Sequence, residues 1–294
     1  MRKGTAELSD LRFALLLTLP VIVFMAAVVL YPLGYSLWLS FCDVTFLGGL
    51  RAVFSGVGNY MEVLTSPDFW HSLWVSLRFT VESVVLTLAI GLGIALVLAK
   101  PMKYSSVMRS VVILPWAVSQ YAAGIMFSYT LRGRTGIVTA LSFLLGGNRT
   151  IDLLSGPAVI EVLAISNAWN TAPLVAFFLL ANLEVIPKRL YDLAGIDRLG
   201  SLEKFTYVTL PYLRQTLYIF AAITTVFSLK LFDLVFVQTG GGPGTASATL
   251  TYQIYKECFR NLNLGYGAAM SVCLLIVILA ATFILYLLIG RREA

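Results

Sequence analysis

Six stretches of this 294-residue chain are long, apolar and almost uncharged, and no other feature limits its fold so severely. A bilayer core about 30 Å thick is crossed by roughly 20 helical residues. The stretches cover residues 13–38, 73–99, 110–131, 157–183, 215–237 and 264–289. Composition agrees: 59% of the residues are apolar and 12% charged, against roughly 45–50% and 25% in soluble domains. The expected fold is an all-α polytopic membrane protein with six transmembrane helices, one membrane-embedded unit over residues 1–294. A disordered chain, a nucleic-acid-binding arm and a water-soluble enzyme are excluded.

Positive residues stay preferentially on the cytoplasmic side of a membrane. Thirteen of the 21 lysines and arginines fall in the connections 1–12, 100–109, 184–214 and 290–294. Seven fall in the longer opposite connections 39–78, 130–161 and 238–263, and Lys230 lies inside a stretch. Both termini are therefore expected in the cytoplasm, and the net charge of +6 reads as an orientation signal with no nucleic-acid partner. Arg2, Lys3 and Arg12 before the first stretch resemble a leader, but that run is too long and five more follow. Cys42, Cys258 and Cys273 make no disulfide framework, and the single His71 cannot build a metal site alone.

Catalytic constellations are missing from the sequence. No Gly-x-x-x-x-Gly-Lys-Ser/Thr loop is present to cradle ATP, and Gly240-Gly241-Gly242-Pro243-Gly244 lacks the lysine and reads as a tight turn. Prolines 20, 32, 115 and 173 lie in or near the apolar stretches, and kinks at Pro115 and Pro173 are candidates for opening a cavity between helices. Lys230 and Asp233 are three apart, Arg78 and Glu82 four apart, so local pairing on one helix face is expected for each couple. Glu161 is expected outside the membrane.

Between the fourth and fifth stretches, residues 186–211 form the most informative connection. Leu190, Leu193, Ala194 and Asp197 share one face of a short helix; Gly200 is placed to end it and Ser201 to cap a second. Periodicity alone leaves open a surface-lying amphipathic element or a docking knob for a partner.

This connection resembles the Glu-Ala-Ala loop of permease subunits of ATP-binding-cassette (ABC) importers. Asp192-Leu193-Ala194 stands where Glu-Ala-Ala would be, Ile196-Asp197 follows, and Phe205 to Pro211 fits Phe-x-x-Ile-x-Leu-Pro. Leu193 replaces an alanine and Arg198 a glycine. The likeness continues through Phe232-Asp233, Val237 to Pro243, Tyr252 to Tyr255 and Gly265 to Ala269, the pattern of carbohydrate-uptake permeases. Tyr31-Pro32, Gly58-Asn59-Tyr60, Leu114-Pro115, and Trp169 with Pro173 also fall at family-like places.

The resemblance implies a non-catalytic subunit in the inner membrane of a prokaryote that translocates a disaccharide or oligosaccharide such as maltose or trehalose. Glycerol phosphate or a polyol is the alternative within the family; a self-contained ion-coupled transporter is the alternative outside it. The implied partners are a second permease, two ATPase subunits that bind ATP and Mg, and an extracytoplasmic solute-binding protein; this chain itself holds no cofactor and no metal. Tyr191, Asp192, Leu193, Ala194, Asp197, Arg198 and Gly200 would form the helix that docks on the ATPase. Asn167, Thr171 and Leu174 on the fourth stretch and Thr224, Phe227, Ser228 and Leu231 on the fifth would line a sugar site. Asn170 joins them because its amide suits a sugar where bare hydrocarbon disfavours polar groups.

Overall fold

The computed structural model describes residues 10–45, 49, 51–133 and 136–290. Arg2, Lys3, Arg134, Arg291 and Arg292 of the charge census lie outside the described residues. The chain is mostly helical, and the expectation of an all-α fold is corrected by one two-stranded hairpin. Contacts gather it into two compact units, residues 1–65 with 254–273, and residues 66–253 with 274–294.

In the first unit, α1 (Asp10–Met25) and α2 (Tyr31–Leu39) are joined by a π-helical turn at Ala26–Leu30. Pro32 has no N–H to give the preceding turn, and just ahead of it the widened turn lets the Tyr31 N–H reach the Ala26 carbonyl. Strands β1 (Cys42–Thr45) and β2 (Arg51–Phe54) pair antiparallel, with Cys42 opposite Phe54. Helix α3 (Gly58–Thr65) clasps the hairpin: Asn59 Nδ2 donates to the carbonyls of Ser40 at 3.0 Å and Cys42 at 2.9 Å, and the Tyr60 hydroxyl pairs with Ser40 Oγ at 2.6 Å. The Gly58-Asn59-Tyr60 motif is thus the fastening of the hairpin. Helix α14 (Leu250–Tyr255) leads into this unit and α15 (Leu264–Gly290) begins there; a side chain at Gly265 would overlap the Cys42 carbonyl oxygen, so the approach requires glycine. The three cysteines are free thiols.

In the second unit, α4 (Pro67–Leu98) packs along α9 (Val159–Val185), and α12 (Leu210–Leu229) lies against both. Helix α4 begins ahead of the expected residue 73, because Ser66 Oγ caps the Phe69 N–H and Pro67 suits a first helical position. Ser72, Ser76, Thr80, Ser83 and Thr87 recur every three or four residues along its buried face. Further along, a Cβ on Gly91 would sit 3.0 Å from the Val175 side chain, so small residues let α4 and α9 approach closely. The remaining helices are α5 (Ser105–Val112), α6 (Leu114–Ala117), α7 (Gln120–Leu131), α8 (Ile137–Leu144), α10 (Lys188–Ile196), α11 (Ser201–Lys204) and α13 (Asp233–Gln238).

Among the described residues, four helices are long and apolar enough to cross a bilayer: Phe13–Leu39, Pro67–Leu98, Val159–Val185 and Leu264–Leu287. A fifth candidate is the pair Ser105–Ala117 and Gln120–Leu131, bent by 94°. The expected third span is therefore a broken segment, with Val118 and Ser119 extended between α6 and α7. The expected fifth span also breaks: α12 stops at Leu229 and α13 starts at Asp233. Pro173, by contrast, sits inside α9 without ending it.

Candidate functional site

A cavity of about 490 Å³ opens where α9, α12 and the two breaks meet. Its lining includes all eight residues expected at a ligand site: Asn167, Asn170, Thr171 and Leu174 from α9, and Thr224, Phe227, Ser228 and Leu231 from α12 and its end. Each set follows the spacing i, i+3, i+4, i+7, so an unbroken helix turns its members to one side. Leu231 continues the α12 spacing past the helix end because its N–H still donates to the Ser228 carbonyl at 3.2 Å.

Buried hydrogen bonds tie this wall together. Ser83 of α4 is the hub: Asn167 Nδ2 donates to its hydroxyl, and Ser228 Oγ lies 3.4 Å from it. Asn167 Oδ1 accepts from Gln120 Nε2 at 3.1 Å, and Gln120 Oε1 is buried without a partner among the described residues. Thr224 Oγ1 donates back to its own helix, to the Phe220 carbonyl at 2.5 Å, with the Ala221 carbonyl at 3.3 Å. Asn170 is committed elsewhere, donating to the backbone carbonyls of Pro115 at 2.7 Å and Val118 at 2.8 Å.

The two breaks supply the rest of the lining, including Trp116, Ser119 and Gln120 from one and Lys230, Phe232 and Asp233 from the other. Local pairing of Lys230 with Asp233 is corrected: the break separates them into the cap of α12 and the first turn of α13, and no ion pair joins them. The Lys230 ammonium instead stands over the Phe227 ring, 4.7 Å from its centroid. Trp116, Ser119 and Gln120 escaped sequence reasoning, since only the bend after Leu114-Pro115 brings them here. Hydroxyls, amides, one ammonium, one carboxylate and aromatic faces in a space of this size suit a polyhydroxylated ligand.

Arg78 pairs with Glu82 at 2.8 Å, as the spacing predicts, and also with Glu161, so Glu161 is the third member of an ion cluster joining α4 to α9.

The connection after α9 forms two short helices, with corrected caps. Arg198, not Gly200, ends α10: it takes a left-handed conformation (φ 56°) while its N–H bonds the Gly195 carbonyl and the Leu199 N–H the Ala194 carbonyl. Gly200 is the cap of α11 in place of Ser201, its N–H donating to Glu203 Oε2 at 2.6 Å. Ala194 is buried, and Tyr191 is anchored through its hydroxyl to Thr209 Oγ1 at 3.0 Å. Asp192, Leu193, Ile196, Asp197 and Arg198 are exposed.

The sulfoquinovosyl glycerol transport system permease protein SmoG of Agrobacterium fabrum is 31% identical to this chain over 287 residues, covering 98% of the chain and 93% of the relative. The chain belongs to the ABC sugar-transport permease family. The trehalose/maltose transport system permease protein MalF of Thermococcus litoralis is 31% identical to this permease and covers 96% of it and 95% of the relative. No family model matches the sequence. Among solved structures, a bacterial alginate ABC transporter in complex with an alginate-pentasaccharide-bound periplasmic protein shares the permease fold. Its TM-score is 0.79 at 19% identity, covering 94% of this chain and 92% of that one. The permease is matched over nearly its whole length, cavity walls included.

Proposed function

We propose that this permease passes a disaccharide or oligosaccharide, such as trehalose or maltose, through the cavity between α9 and α12. The observation that carries the reading is the convergence of eight lining residues, four from α9 and four from α12 and its end, on one cavity of sugar-accommodating size. A sugar ring needs hydroxyl and amide partners around its rim and an apolar face beneath it. Thr171, Thr224 and Ser228 supply the first, and Trp116 and Phe232 the second.

In this proposal both termini are cytoplasmic and the chain crosses the inner membrane of a prokaryote six times, the bent and broken segments counting as the third and fifth crossings. A second permease completes the pathway, an extracytoplasmic binding protein delivers the sugar, and two ATPase subunits hold ATP and Mg. The exposed Asp192, Leu193, Asp197 and Arg198 of the α10–α11 segment dock on an ATPase, which moves the helices and alternates access to the cavity. The chain itself makes and breaks no covalent bond.

A phosphorylated polyol is the second reading, favoured by the Lys230 ammonium, which has no carboxylate within 4 Å among the described residues. Proteoliposomes test both. With its partners and ATP, the permease should accumulate labelled trehalose or maltose, and alone it should accumulate neither. Uptake of glycerol 3-phosphate in preference to sugar would establish the second reading. Ion-driven uptake by the chain alone would overturn both.

A further inference from the structure

The break between α6 and α7 creates a problem that the surrounding bundle has to solve. Where a helix stops inside a membrane, the carbonyls of its last turn lose their N–H partners, and hydrocarbon offers none. The extended Val118 (ψ 131°) and Ser119 (ψ 149°) end the α6 ladder, and the next helix leaves at 94°. The Val118 carbonyl and the Pro115 carbonyl, which also takes the Val118 N–H at 3.2 Å, both receive the side-chain amide of Asn170, at 2.8 and 2.7 Å. Asn170 is 5% exposed and sits one turn from Asn167, which holds Gln120 at the first residue of α7. One face of α9 therefore grips the bent segment on both sides of its break. A third grip lies one residue from Asn170, where Trp169 packs edge-on against Phe127 of α7 with centroids 5.4 Å apart.

We infer that Asn170 is a positioning residue: its amide N–H groups latch the broken segment to α9 and so hold Trp116, Ser119 and Gln120 in the cavity wall. Both of its N–H groups are spent on backbone carbonyls, which leaves no donor for a sugar. Because it reads backbone rather than side chains, the latch fixes where the break occurs, and the side chains on either side of the break follow.

The cavity-wall consequence rests on the proposed translocation function; the latch itself does not. Three substitutions separate a latch from simple packing. Asn170→Leu keeps the branching at Cγ with greater bulk and removes both donors, Asn170→Asp keeps shape and volume and sets a carboxylate against two carbonyls, and Asn170→Ser loses volume but keeps one donor. A packing role ranks the isosteric Asp as the mildest, with Leu damaging by its bulk and Ser by the space it leaves. The latch ranks Leu and Asp as the most damaging and Ser as intermediate.

The first measurement is hydrogen exchange of the peptides covering residues 114–124, in the assembled complex in lipid nanodiscs. Loss of two hydrogen bonds should speed exchange there by about tenfold or more in the Leu and Asp variants. Exchange in α15 should be unchanged in every variant. Unaltered exchange at 114–124 in the Leu variant, or a ranking that follows volume, would overturn the latch. The second measurement is sugar uptake by the same complexes, where half-saturation should rise more than the maximal rate falls. Faster exchange with unchanged uptake kinetics would keep the latch and instead remove the cavity from the transport path.

Discussion

Ser83 and Thr87 make a matched pair on the buried face of α4, four residues apart and each no more than 1% exposed. Their hydroxyls differ in partners: that of Ser83 serves Asn167 and Ser228, whereas Thr87 Oγ1 is buried with no partner among the described residues. Replacing Ser83 by alanine strands the Asn167 amide and loosens its hold on Gln120. A buried hydrogen bond between membrane helices contributes about 0.6 kcal/mol on average and up to about 1.7. One short bond and one long bond therefore put the loss at about 1–2 kcal/mol. Thr87→Val exchanges a hydroxyl that gains nothing for a methyl of the same shape, so stability should hold or rise. The assay is chemical or thermal unfolding of the purified permease complex, with sugar half-saturation measured on the same preparations. Ser83→Ala should lower stability and raise half-saturation severalfold, and Thr87→Val should do neither. Equal effects of the two would refute the idea that the hydroxyl network, rather than helix packing, shapes the cavity.

Other sites give sharper local outcomes. Arg198→Gly relieves a left-handed residue at the end of α10 and should stabilise the segment by about 1 kcal/mol, read as slower exchange at residues 190–200. Gly265→Ala drives a methyl into the Cys42 carbonyl and should cost about 1–3 kcal/mol, read as a lower unfolding temperature. The Cys258 thiol is pushed up from its ordinary value by burial and then by the neighbouring Glu257 charge. Its alkylation should therefore lag behind a free thiol near neutral pH and catch up as the pH rises, followed by mass spectrometry of the intact chain.

What was legible in the sequence divides along a physical line. Apolar length alone marks where helices cross, because desolvation of the backbone does not depend on tertiary detail, and α4, α9 and α15 came out near their expected places. The family resemblance places seven of the cavity residues and the amide chemistry of Asn170 an eighth; the helical spacing of α9 and α12, which the Leu231 N–H carries past Leu229, turns them to one side. The breaks were not legible. Hydropathy averages over them, and the break at Val118 is stabilised by Asn170, 52 residues away in sequence. Trp116 and Gln120 were missed for that reason, and Lys230 and Asp233 were placed on one helix face that does not exist. The amide of Asn170 suits a sugar by type; only geometry shows that both of its N–H groups go to backbone carbonyls. At the end of α10 the preference for glycine pointed to Gly200, but Glu203 claims that residue for the next helix and leaves Arg198 to make the turn.

The most direct test is to fill the cavity while leaving its hydrogen-bond framework alone. Thr171 lines the cavity and is not needed by the Ser83 network, so Thr171→Trp places an indole in the path. In proteoliposomes holding the complete importer, this variant should keep ATP hydrolysis stimulated by the sugar-loaded binding protein and lose sugar uptake. Uptake at the wild-type rate with the indole in place would contradict passage of the sugar between α9 and α12.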